Sequence, residues 1–439
     1  MTFPSIGQNM HGKGGRNMNP FKEKPEKLDS FFRSWQQIYV KPYDPREVDP
    51  YTRARVILMN GTEYEAVWFS HQLQRHVQDN ELRRALATTR RIEQQQQKVI
   101  AALKPREETT LEHTIGYEQL AVDLTAGMAQ REPDPMVKAA LDFALLEDFD
   151  HLYRYADLLE QESGVRAEQL VGHYTEIMPG RPTIAEHRHP TDNVRFSIDN
   201  HTADPLTKLH TAIITAAEQQ TMNYYMNVCA LYPTDVGRRL YQEIGLIEEQ
   251  HVTQYGSLMD PRTTMLECLL NHEYTECYLY YSCYMDETDA PVKRVWEEHF
   301  IQEVAHLHAA ADLLKTYEKK DWQQVIPQGE FPELLRLHEN IAYVRGVLAS
   351  QAHWTSRLEN YVEEAKLPDN APFYAFQRQL NTPPEQVPTH FVIQNYMDTH
   401  GKDYRWQTAE EPIPALRDRT KDDITVGREK LTSGKAYVQ

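Results

Sequence analysis

Displaced by 155 residues, the chain matches itself without a gap. Arg83-Arg84 falls on Arg238-Arg239, Ile92-Glu93 on Ile247-Glu248, and Leu111-Glu112 on Leu266-Glu267. Val137-Lys138 falls on Val292-Lys293, His151-Leu152 on His306-Leu307, and Ala156–Leu159 on Ala311–Leu314. There are 22 identities across positions 63–159. Shared helical composition scatters matches; it does not pair them in register over four helices. An internal repeat of this kind restricts the fold to two copies of one unit.

The unit reads as helical. Stretches such as 80–103 and 136–162 run without glycine or proline, and breakers stand between them at Pro105, Pro133 and Pro135. The expected division is an extended segment over 1–50, a helical unit over 51–162, an irregular connection over 163–205 and a second helical unit over 206–320. One additional helix is expected within 321–366, and an extended C-terminal tail over 367–439. No alternating β pattern of any length stands out.

Within the second repeat, carboxylates and imidazoles recur at fixed spacing. Glu248 precedes His251 by three residues and Glu303 precedes His306 by three, which places each pair on one helix face. Glu218 stands 30 residues before Glu248, and Glu273 stands 30 before Glu303. Two helical hairpins thus carry four carboxylates and two histidines. That set neutralises two divalent cations and leaves positions open on each. Buried carboxylates are costly unless compensated, and metal is a usual compensation.

Glu followed by Glu-x-x-His, given twice over four helices, resembles the ferritin-like superfamily of dimetal carboxylate proteins, which includes the rubrerythrins. The resemblance spans about residues 61–162 and 216–317. It implies an all-α chain of two tandem ferritin-like four-helix bundles, and metal ligands Glu218, Glu248, His251, Glu273, Glu303 and His306. Glu218 and Glu273 would be terminal ligands, Glu248 and Glu303 bridges, and Glu276 an optional seventh ligand. It implies two Fe ions, or Mn with the same ligands. The activity it suggests is an oxidoreductase acting on dioxygen or hydrogen peroxide, with an external electron donor or the substrate itself as reductant. Metal storage and handling, or a non-catalytic scaffold, is the alternative. The first repeat carries Glu63, Glu93, Gln96, Glu118, Asp148 and His151 at the equivalent positions. With one histidine become Gln96 and one glutamate become Asp148, it is expected to be a degenerate structural unit.

One topological difficulty stands. The 21 residues between His251 and Glu273 hardly allow the full-length crossover that two hairpins of one bundle need. The hairpin of Glu118, Asp148 and His151 could instead pair with that of Glu218, Glu248 and His251 through the connection 163–205. Pairing across a homodimer is a third arrangement. The second-repeat pairing is favoured because it alone collects the full ligand set named above.

The remaining features are blander. A net charge of −18 disfavours nucleic-acid and anionic-membrane binding. No apolar run is long enough to span a bilayer, so a cytoplasmic location is expected. Cys229, Cys268, Cys277 and Cys283 form no C-x-x-C pair and read as buried apolar groups. His187 and His189 of "EHRHP" are expected in an exposed loop. The tyrosines of 223–227 and 274–284 read as packing. "HGKGG" at 11–15 lacks the context of a phosphate loop.

Overall fold

The computed structural model describes residues 18–405 and 410–417. These are mostly helical. Eight long helices carry the repeat: α1 (Pro50–His76), α2 (Asn80–Ala102), α3 (Thr110–Arg131), α4 (Pro135–Ser163), α5 (Pro205–Leu231), α6 (Asp235–Leu258), α7 (Met265–Asp286) and α8 (Ala290–Glu318). Their boundaries echo one another across the displacement seen in the sequence, because the local start and stop signals do. Asp79 and Thr234 cap the N-termini of α2 and α6. Thr109 and Thr264 form full capping boxes with Glu112 and Glu267, satisfying otherwise orphaned N–H groups of α3 and α7. Asp134 and Asp289 cap α4 and α8. The latter two helices both end in the left-handed conformation, at Gly164 (φ 70°) and Lys319 (φ 59°).

The compact units do not follow the repeats. Among the described residues, one comprises 18–105, 200–209 and 261–336; the other comprises 106–199, 210–260, 337–405 and 410–417. The first joins hairpin α1–α2 to hairpin α7–α8, with α1 against α7 and α2 against α8. The second joins α3–α4 to α5–α6, with α4 against α6. This corrects the division into 51–162 and 206–320. The reason is reach. Residues 259–264 alone separate α6 from α7. Six extended residues cover about 20 Å, whereas the 24 residues of α6 run about 36 Å. Only the connection after α4 is long enough to return the chain alongside its predecessor.

That connection is not a surface loop. Every residue from 175 to 188 is buried, and it includes single helical turns at Ala167–Leu170 and Thr183–Glu186. His187, expected to be exposed, is buried and bonds Glu243 Oε1 through Nε2 at 3.2 Å; His189 turns back on Thr191.

The last part of the chain also departs from expectation. Helix α9 covers only Ile341–Gln351, and an antiparallel hairpin follows, β1 (Trp354–Arg357) with β2 (Asn360–Glu363). Two further helices, α10 (Pro372–Leu380) and α11 (Pro388–His400), stand where an extended tail was expected. Helix α9 packs on α3 and α4, and α11 packs on α4 and α6. Val344, Leu348, Val392, Ile393 and Tyr396 thereby join Leu145, Phe149 and Leu152 of α4 in one apolar core. Their apolar periodicity is short, interrupted by Pro372, Pro383, Pro384 and Pro388, so it gives little helical signal in advance. Residues 1–17, 406–409 and 418–439, with the "HGKGG" stretch, lie outside the described residues. No described helix is long and apolar enough to cross a membrane.

Because the Thr264 hydroxyl accepts from the Glu267 N–H at the half-buried start of α7, Thr264→Ala should lower stability by about 1 kcal/mol. Urea unfolding of wild type and variant, followed by circular dichroism, measures this.

Candidate metal centres

The six residues expected to share one centre are divided between the two units. Glu218 (α5), Glu248 and His251 (α6) meet Glu118 (α3), Asp148 and His151 (α4). Glu273 (α7), Glu303 and His306 (α8) meet Glu93 and Gln96 of α2, with Glu276. Each repeat therefore contributes one hairpin to each cluster. The arrangement noted as the topological alternative is the one the chain adopts for α3–α6. It does not strand Glu273, Glu303 and His306, because α1–α2 supplies their partners.

In the second unit the cluster is fully buried; none of Glu118, Asp148, His151, Glu218, Glu248 and His251 is more than 2 % exposed. Two groups of ligand atoms form, Glu118–His151–Glu248 and Asp148–Glu218–Glu248–His251, with Glu248 common to both. His151 Nδ1 lies 3.1 Å from Glu248 Oε1, and His251 Nδ1 lies 3.2 Å from Glu248 Oε2. The two imidazole rings stack with centroids 6.2 Å apart. His251 Nδ1 also faces Asp148 at 3.4 Å and Glu218 at 3.6 Å. Both Asp148 oxygens, both Glu218 oxygens, Glu118 Oε2, Glu248 Oε2 and His251 Nδ1 make no hydrogen bond.

The outer nitrogens are held differently. His151 Nε2 meets Glu186 Oε2 at 3.2 Å, and His251 Nε2 meets Glu147 Oε2 at 2.7 Å. Glu186 comes from the buried connection; Glu147 precedes Asp148 on α4. Glu147 is gripped by Arg181, at 3.0 Å, and by both terminal nitrogens of Arg188, whose backbone N–H donates to Gln250. An imidazole whose outer nitrogen is fixed on a carboxylate has its inner nitrogen oriented for an ion. Neither Glu147 nor Glu186 stands at any telling spacing from the histidines, and nothing local in the sequence points to them.

The electrostatics match this division. Burial pushes Glu118 up to about 8 and Glu218 up to about 7, and lifts Asp148 well above the usual carboxylate range. Burial acts the same way on Glu248, but the adjacent imidazoles of His151 and His251 outweigh it and hold Glu248 down to about 2. Burial would lower both imidazoles; the surrounding carboxylates prevail and raise them well above the ordinary histidine value. Without a cation, protons must balance the clustered negative charge.

The cluster of the first unit is built on the same plan with different donors. His306 Nδ1 lies 3.2 Å from Glu303 Oε2, 3.8 Å from Glu273 Oε2 and 3.9 Å from Glu93 Oε1. Its groups are Glu93–Glu273–His306 and Glu273–Glu276–Glu303. The Gln96 amide nitrogen donates to Glu303 Oε1. Glu63 of α1 accepts from the Tyr280 hydroxyl, and Glu118 of α3 accepts from the Tyr225 hydroxyl. In each unit a tyrosine seven residues beyond the first glutamate of one hairpin thus reaches the first glutamate of the other. Of the tyrosines expected only to pack, these two bond a candidate ligand.

No protein-family model, curated protein or solved structure matches the chain.

Arg188 is 1 % exposed and faces an equally buried carboxylate. Arg188→Ala should therefore cost about 3–5 kcal/mol, as breaking a buried pair does. Adding Glu147→Gln to Arg188→Ala should recover part of that loss. A double-mutant cycle on urea midpoints decides it.

Proposed function

We propose that the α3–α6 unit is a ferritin-like four-helix bundle holding a dinuclear metal centre, that the chain arose by tandem duplication, and that the protein is an oxidoreductase acting on dioxygen or hydrogen peroxide. The observation that carries this reading is the pair of histidines whose Nδ1 atoms converge on the shared Glu248 while their Nε2 atoms are anchored on Glu186 and Glu147. The recurrence of caps and helix ends 155 residues apart supports the duplication.

The residues present fit two divalent ions. Four carboxylates balance their charge, one imidazole faces each group, and the inward oxygens without hydrogen bonds are the atoms a cation would satisfy. Glu118 and His151 would hold one ion, Asp148, Glu218 and His251 the other, and Glu248 both. Iron or manganese fits this donor set, and when bound it would supply the electrons that reduce an oxygen species.

The chain's own groups set the conditions. Arg181 and Arg188 keep Glu147 ionised, well below the usual carboxylate range: burial opposes ionisation, but Arg188, His251 and Arg181 overcome it. Glu147 in turn fixes the His251 ring. The Tyr225 hydroxyl keeps a proton at Glu118 Oε1, beside the centre, in a site otherwise closed to water. Tyr155 packs tilted and Tyr241 edge-on against Tyr225, with ring centroids 5.3 and 5.6 Å away. An external donor, or the substrate, is the source of further electrons.

Elemental analysis of protein purified without added metal should find about two Fe or Mn bound by this unit. Glu248→Ala and His251→Ala should remove them, and Fe²⁺-dependent dioxygen uptake or peroxide consumption should disappear in both. Metal-loaded protein without either activity, or with many more ions per chain than the clusters can hold, would favour storage. Saturating metal should also raise stability, by about 2.7 kcal/mol at a hundredfold excess over Kd.

A further inference from the structure

The first unit's cluster differs from the second's in its donor set. By the 155-residue displacement, Glu63 corresponds to Glu218, Glu93 to Glu248, Gln96 to His251, Glu273 to Glu118, Glu303 to Asp148 and His306 to His151. An imidazole is thus replaced by the amide of Gln96. The position of Ala121 in the second unit is Glu276 in the first, a carboxylate with 0 % exposure. His151, the counterpart of His306, is anchored on Glu186 through Nε2, whereas His306 Nε2 makes no hydrogen bond. One nitrogen donor has gone and one oxygen donor has arrived.

The inward atoms are vacant of donors. Neither oxygen of Glu276 makes a hydrogen bond, nor does Glu273 Oε2 or Glu93 Oε2, and these residues are at most 2 % exposed. Glu276 is steadied from outside by His272, whose Nε2 lies 3.3 Å away and whose Nδ1 meets Glu65 at 3.0 Å. Glu303 is steadied by Gln96. A narrow opening bordered by Ser70, Thr89, Glu93, Glu273 and His306 reaches the cluster. Positioned carboxylates that face one another, without donors between them, call for a cation. Carboxylate-rich donor sets favour hard cations such as Mn²⁺, and each imidazole added shifts the preference toward Fe and Zn.

We propose that Glu273, Glu276 and Glu303, with Glu93 and His306 beside them, form a second divalent-cation site that prefers Mn²⁺ and exchanges its ion through this opening. It rests on reading such buried carboxylate–imidazole clusters as cation sites, but not on a redox role for the α3–α6 centre. His306, without an outer carboxylate, is the less basic ligand, so the site is the weaker and more labile of the two.

The test is titration of the full chain, stripped with chelator, with Mn²⁺ alone, read by loss of the free-ion electron paramagnetic resonance signal. Wild type, Glu276→Gln, Glu248→Gln and Gln96→His are compared after circular dichroism confirms folding. The expected result is a class of Mn²⁺ sites that survives Glu248→Gln and is weakened at least about tenfold by Glu276→Gln. Gln96→His, which restores the imidazole, should shift competition toward Zn²⁺. Mn²⁺ binding that is lost in Glu248→Gln and indifferent to Glu276→Gln would overturn the proposal while leaving the α3–α6 centre standing. Binding that survives Glu248→Gln unchanged in every class would support this site and remove the other. Absence of any Mn²⁺ binding at millimolar concentration would overturn this proposal as well.

Discussion

The structure turns on an unfavourable quantity: carboxylates buried at helix centres, several to a unit, with too few basic groups to pair them. In the α3–α6 unit, Glu118, Asp148, Glu218 and Glu248 are all within 2 % of full burial, and two imidazoles face them. Such a group is tolerated only if charge is compensated, by protons or by cations. The outer residues are arranged so that compensation stays ordered. Arg181 and Arg188 pin Glu147, Glu147 and Glu186 pin the imidazoles, and the inner oxygens remain available.

The same constraint explains why the connection after α4 is buried. A passing loop would expose the outer nitrogens of the histidines to water. Instead it brings Arg181, Glu186 and Arg188 into the interior and closes that side of the centre. Its backbone is satisfied locally by single helical turns and by side chains such as Gln250 and Asn381, which bond the Arg188 N–H and the Ile184 carbonyl. The crossover that carries the chain from α4 to α5 is therefore also the wall of the site.

How much of this could be read in advance differs by residue. Glu248 with His251 and Glu303 with His306 announce themselves by helical spacing, and Glu218 and Glu273 by their common distance upstream. The caps at Thr109, Asp134, Thr264 and Asp289 are similarly local. Glu186, in contrast, lies in a stretch whose prolines and histidines suggest a surface loop, and Glu147 is one of five acidic residues between 142 and 157. Glu276 could be named as a possible ligand, but its weight became visible only beside Gln96, contributed by a helix 180 residues away. The helices α10 and α11 escaped because their apolar faces are short and bounded by proline.

Helix character, helix ends, the repeat and the identity of nearly every inward carboxylate and imidazole follow from residues close together in the chain. Capping, spacing and apolar periodicity act over one or two turns, so they need no knowledge of the rest. Which hairpins meet does not follow from them. Two hairpins with the same spacing look equally able to complete either partner. The choice depends on whether a connection can span a helix and on which buried charges find compensation across the contact. Those are properties of distance in three dimensions, and they turned one expected centre into two clusters of different chemistry.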